Sequence, residues 1–208
     1  MRIHVGEHLT RRIAEMNTLD DTEALQLPDV VLNTGSIRVI MIGEAPPEDP
    51  DDSFYSRAAG PAHLTTLLSL FGAAGAAAES IQDIVSMGIY VTTAVKRPKD
   101  GYAVDPALVR AHLPVLEEEL RLFPRLGVVM LMGDVAKKAF NMIAKKRSKK
   151  NAVSSGPTYK VRKNEFYFES KRIFPSYVMA GGNLLIEKSK AAMVSEDIQR
   201  MLRIIGGG

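Results

Sequence analysis

The 208-residue sequence predicts an α/β fold of three layers, with helices on both faces of a central, mostly parallel four-stranded sheet. Two observations predict it. Four short runs of Val, Ile, Leu and Met are continuous rather than alternating, as in strands covered on both faces. Between them lie stretches whose apolar residues recur at helical spacing.

The strands are expected over Ile37–Ile42, Gly88–Ala94, Leu126–Met132 and Arg172–Val178. A first helix, Ala62–Phe71, follows Gly60-Pro61 and lines up Leu64, Leu67, Leu68 and Phe71. A second, Pro106–Leu122, takes Asp105 as N-cap and sets Val109, Leu113, Leu116 and Leu120 on one face. Pro114 should kink or tilt it. A third, Val135–Lys146, starts just after Gly133-Asp134, and a last, Leu185–Ile204, turns Leu184, Ile186, Met193, Ile198 and Leu202 inward. Lys145–Pro157 is polar and basic and reads as an exposed, mobile loop. Thr158–Glu169 alternates through Tyr159, Val161, Phe166 and Phe168 and reads as a hairpin beside the sheet. No repeat or domain-sized linker interrupts the chain, so a single domain is expected over 1–208, with its core at about 37–204.

Composition removes several kinds of chemistry. The hydrophobic fraction is 46% and the charged fraction 25%, as in ordinary globular proteins. No apolar run reaches transmembrane length, and the first residues lack the apolar stretch of a secretory signal, so a cytoplasmic protein is expected. With no cysteine there is no disulfide, thiolate nucleophile, Cys-bound zinc or Cys-bound iron–sulfur cluster. His4 and His8 stand four residues apart, but no acidic third ligand accompanies them, so they read as solvent-facing. No metal or other cofactor is called for, and a monomer is favoured.

The net charge of +3 conceals an asymmetry. Residues 1–120 carry 9 Lys and Arg against 18 Asp and Glu, whereas residues 121–208 carry 18 against 6. Lys145, Lys146, Arg147, Lys149 and Lys150 are the densest cluster. Such a run suits a phosphate-tracking surface or a merely solvated one, and charge alone does not separate the two.

In open α/β sheets, sites form beyond the carboxyl ends of the strands. The first strand ends in Gly43-Glu44-Ala45-Pro46-Pro47, followed by Glu48, Asp49, Asp51 and Asp52, then Phe54-Tyr55. The others end in Thr92-Thr93-Ala94-Val95-Lys96-Arg97-Pro98, in Met132-Gly133-Asp134, and in Phe174-Pro175-Ser176-Tyr177. The acidic run offers carboxylates of the kind that bind Mg²⁺ in phosphohydrolases, although Pro47 and Pro50 stiffen it. No phosphate-binding glycine motif of an NTPase or dinucleotide enzyme is present.

These four segments, in this order, resemble the uracil-DNA glycosylase superfamily, most nearly the branch whose first motif reads GEAPG but without its iron–sulfur cysteines. The likeness runs from about Ile37 to Leu202. It implies a base-flipping hydrolase that draws a damaged base of DNA into a cavity and breaks its N-glycosidic bond. By that resemblance Glu44 positions water and faces the cationic sugar, within a base site formed by Gly43, Ala45 and Pro46. The plain alternative for Glu44 is a carboxylate capping a nearby helix. Phe54, or failing it Tyr55, would stack on the base. Pro175 would stiffen a turn and Ser176 would grip a phosphate. Two positions depart from the family pattern: Thr93 stands where the family carries a base-reading Asn, and Phe174 where it carries the His that donates to the departing base. An inactive nucleic-acid- or nucleotide-binding relative is therefore the alternative function.

Overall fold

The computed structural model describes residues 1–17, 19, 25–99, 101, 103–181 and 183–207. The N-terminal segment, for which no element was expected, is structured. Strands β1 (Arg2–His4) and β2 (Val31–Asn33) pair antiparallel, and α1 (Val5–Met16) buries Val5, Leu9 and Ile13. His4 and His8 are not simply solvated. His4 accepts the Glu7 N–H as the N-cap of α1 and meets Asp29 at 2.9 Å, and His8 lies 3.7 Å from Glu118.

The rest of the chain adds β3 (Val39–Gly43), α2 (Ala62–Ala73), α3 (Ile81–Ser86), β4 (Ile89–Thr93), α4 (Pro106–Arg121), β5 (Val128–Met132) and α5 (Asp134–Ser148). After these come α6 (Thr158–Val161), β6 (Phe166–Phe168), β7 (Lys171–Ser176), α7 (Asn183–Ile186) and α8 (Lys188–Gly206). The sheet order is β4-β3-β5-β7-β6, with the first four parallel and β6 antiparallel at the edge. The four expected strands are all present, and β6 makes a fifth.

Alternation along the strands divides the core in two. Ile40, Ile42, Tyr90, Val129 and Leu131 face α1, α4 and α5, whereas Val39, Met41, Val91, Met130 and Phe174 face α2, α3 and α8. The result is three layers, as the apolar patterning predicts. Asp105 caps α4 through the Ala107 N–H at 2.7 Å, and Pro114 lies inside that helix without ending it.

Three expectations need correction. The last helix is broken at Glu187, which resets its periodicity. Val194, Ile198, Met201 and Ile205 form its buried stripe, and Ile186 is 77% exposed. The segment after α5 is tied down, because Asn141 exchanges two hydrogen bonds of 2.9 Å with the backbone of Val153. Only the second half of Thr158–Glu169 is a strand, since its first residues form the single-turn α6.

A buried ion pair joins β4 to α4. Lys96 and Glu119, both fully enclosed, meet at 2.6 Å. The ammonium also donates to Thr92 Oγ1 and to the Thr93 carbonyl, while the other Glu119 oxygen accepts from Tyr90 and Thr92. Every polar atom in the cluster therefore has a partner, which is the condition for carrying charge into a core. Removing one partner strands the other. Either Lys96→Ala or Glu119→Ala should lower stability by about 3–5 kcal/mol, and Lys96→Met with Glu119→Leu should recover most of it, read from urea unfolding midpoints and slopes.

Candidate functional site

Chain direction creates the site. From β3 the chain passes to α2 on one face of the sheet, and from its neighbour β5 it passes to α5 on the other. Beyond two adjacent parallel strands whose connections diverge, a crevice is left open. A cavity of about 300 Å³ lies there, walled by Gly43, Glu44, Ala45 and Pro46 after β3, by Thr93 and Met132 at two other strand ends, and by Val178–Ala180. Phe54, His63 and Lys99 also line it.

Glu44 is held from three sides. The Gly43 carbonyl accepts from Ala94 at 2.8 Å and the Glu44 carbonyl from Val95 at 3.2 Å, which staples this loop to the end of β4. The Glu44 carboxylate accepts the Val135 N–H at 3.1 Å, in the first turn of α5. Helix-capping and cavity-lining, posed as alternatives for this residue, coexist. A helix N-terminus presents undonated N–H groups and a positive dipole end, so it fixes a carboxylate without neutralising both of its oxygens. The approach depends on Gly133, whose φ is 103° and where an added Cβ would lie 2.5 Å from Glu44 Oε1 and 2.6 Å from Val178 Cγ2.

The other candidate residues are placed less evenly. Phe54 lines the cavity but is 5% exposed, with its ring centroid 5.3 Å from that of His63. Tyr55 does not line it. Its hydroxyl donates to the Val91 carbonyl at 2.8 Å and accepts the Val91 N–H at 3.2 Å, and burial pushes the phenol well above its usual pKa. Thr93 faces the cavity with its hydroxyl already donated to the Val95 carbonyl at 2.6 Å.

Phe174 does not line the cavity. It shares a face of β7 with Arg172 and Ser176, and the guanidinium carbons of Arg172 and Arg200 lie 4.5 Å and 5.5 Å from its ring centroid. The resemblance puts Phe174 in the base site, and that is corrected: it shares a sheet face with Thr93 and Met132, but it pairs with Met130, a step deeper than Met132, and is not among the lining residues. Ser176 is buried as well and donates to Asp197 at 2.8 Å. Asp197 also meets the enclosed Arg162 at 2.8 Å. Pro175 suits its place, because β6 has ended before it and no outer strand needs its N–H.

The basic cluster lies elsewhere. Glu44 sits at the first turn of α5, while Lys145, Lys146 and Arg147 are in its last turn and Lys149 and Lys150 follow. At 1.5 Å per residue that is about 20 Å from the cavity. Lys146 and Arg147 are engaged with Glu117 and Glu169. The acidic run is likewise partnered locally, Asp49 capping a 3-10 turn at Pro50–Asp52 and Asp52 accepting the Ala62 N–H at 3.1 Å. No group of three His, Cys, Asp or Glu among the described residues is arranged to hold a metal.

His63 was not singled out by the sequence, where it is one histidine in an apolar helix. Its imidazole lines the cavity, its Nδ1 is buried without a hydrogen-bond partner, and burial holds its pKa below the usual histidine value against the opposing pull of Asp52. Only its position, three residues past Gly60 at the start of α2, offered a signal.

The Glu44 arrangement generates a direct test. Gly133→Ala should destabilise the protein by about 1–3 kcal/mol and detach Glu44 from the Val135 N–H, read by thermal unfolding and by the amide resonance of Val135. A fully stable variant with that resonance unmoved would mean that the close approach is not a constraint.

Compared with known families, the chain matches the model described as "Uracil DNA glycosylase superfamily" over residues 31–199, most of its length. Among curated proteins, none matches it.

Proposed function

The chain belongs to the uracil-DNA glycosylase superfamily, and from that premise we propose that it is a DNA glycosylase-like protein that takes a flipped, uracil-like base into the Glu44 cavity and hydrolyses its N-glycosidic bond. The single observation that carries the reading is Glu44, a carboxylate lining the crevice beyond β3 and β5 with one oxygen fixed by α5.

In this reading the base enters beside Phe54 and Thr93, and the C1′–N bond breaks with its electron pair passing to the base. Positive charge gathers on the sugar, where a fixed carboxylate stabilises it, and water adds at C1′. The free Glu44 oxygen orients that water and takes up its proton. In this reading a phosphate beside the flipped base passes the lining near Lys99, whereas the lysines after α5 are too remote to share that contact.

A second reading has its own observation. Thr93 has spent its hydroxyl and carries no amide, and Phe174 is turned into the core, so neither motif position offers the base a donor. This favours a relative that binds nucleic acid without turnover. One assay separates them: duplex and single-stranded oligonucleotides containing uracil, hypoxanthine or xanthine are incubated with the protein and examined for abasic sites. Under the glycosylase reading, Glu44→Gln should abolish base release, leave oligonucleotide affinity intact or slightly higher, and EDTA should change nothing. Binding without abasic sites for every base supports the second reading. Activity that survives Glu44→Gln and is lost to EDTA would overturn both.

A further inference from the structure

The motif positions 93 and 174 carry neither an amide nor an imidazole, and of the two only Thr93 lines the cavity, yet an imidazole lines it from another element. His63 stands in the first turn of α2, which Asp52 anchors by accepting the Ala62 N–H at 3.1 Å. Its ring is tilted at 49° against Phe54, the residue placed beside the base. The fold makes no use of it as a hydrogen-bonding group, because Nδ1 is enclosed without a partner and the described residues offer the ring no ion pair. An enclosed nitrogen with no acceptor is best left unprotonated, since a buried N–H that donates to nothing loses its hydration for no return. That assigns the proton to Nε2, the one polar atom the ring has left for an occupant.

We propose that His63 is a catalytic residue for base release, its Nε2–H donating to a carbonyl oxygen of the bound base and stabilising the negative charge that gathers there as the C1′–N bond breaks. The role rests on the base-release reading. The bond electrons leave with the base, water supplies the oxygen to C1′ and its proton passes to Glu44, and the base anion is later protonated by solvent. Burial, which disfavours the charged imidazole, keeps His63 a neutral donor that polarises the base without protonating it. The helix N-terminus beside it acts in the same direction.

The test uses leaving-group ability, which a merely structural role would not sense. Base release is measured in single turnover on duplexes carrying uracil or 5-fluorouracil, whose ring fluorine already stabilises the departing anion. His63→Phe, which keeps the contact with Phe54, should slow uracil release by about 100-fold, His63→Gln should restore part of it, and oligonucleotide affinity should hold. The deficit for 5-fluorouracil should shrink to about 10-fold or less. Equal deficits on both bases, or no deficit in a folded variant, would overturn the role of His63 while leaving base release standing. A wild type that releases neither base would instead sink the base-release reading. His63 is then judged by the ¹⁹F resonance of free 5-fluorouracil, which should shift with wild type and not with His63→Phe, and identical spectra would overturn the assignment.

Discussion

Two adjacent parallel strands that send their chains to opposite faces of the sheet are the constraint on which the site depends. β3 and β5 are in register from Val39 and Val128 onward, so they end at one level. Divergence beyond them leaves a crevice that no connection can cross. Into it project a loop carboxylate from one strand and a helix N-terminus from the other, groups of complementary charge brought together by topology alone. A residue without a side chain at position 133 is what lets them touch. The Lys96–Glu119 pair stiffens the neighbouring wall, because the ammonium that neutralises the glutamate also holds the Thr93 carbonyl.

Those parts of the fold whose physics is local were legible in the sequence. β3, β4, β5 and β7 are buried on both faces and therefore read as unbroken apolar runs, and α4 begins where Asp105 and Pro106 say it should. What depended on long-range contact was not. α1 is short and rich in charge, and it is kept helical by packing on α4 and by a His4 cap that resembles no common cap residue. The break at Glu187 follows from how α7 and α8 dock, which the periodicity of either half does not reveal.

The site divides along the same line. Glu44 was found because strand-end position is a property of the chain. Phe174 was placed in the base site because a motif in the sequence gives the strand's end, not how far below that end each side chain lies. The basic cluster stayed open between a phosphate-tracking and a solvated surface, because a sequence gives no measure of which end of α5 adjoins the cavity. His63 was passed over since a single imidazole in an apolar helix is indistinguishable from core until the cavity beside it exists. Ser176, a polar residue in a motif, turned out to serve the buried Arg162–Asp197 cluster instead.

The Tyr55 hydroxyl has a consequence beyond its neighbourhood. β4 is the outermost parallel strand, and an outermost strand ordinarily offers alternate N–H and C=O groups to any extended chain that drifts against it. At Val91, the middle of that strand, both groups are already occupied by one phenol. An arriving chain would find the central rung of the ladder taken and would have to displace a half-buried ring to claim it. A single side chain thus guards this border against self-association, the hazard that accompanies every sheet left open at its side.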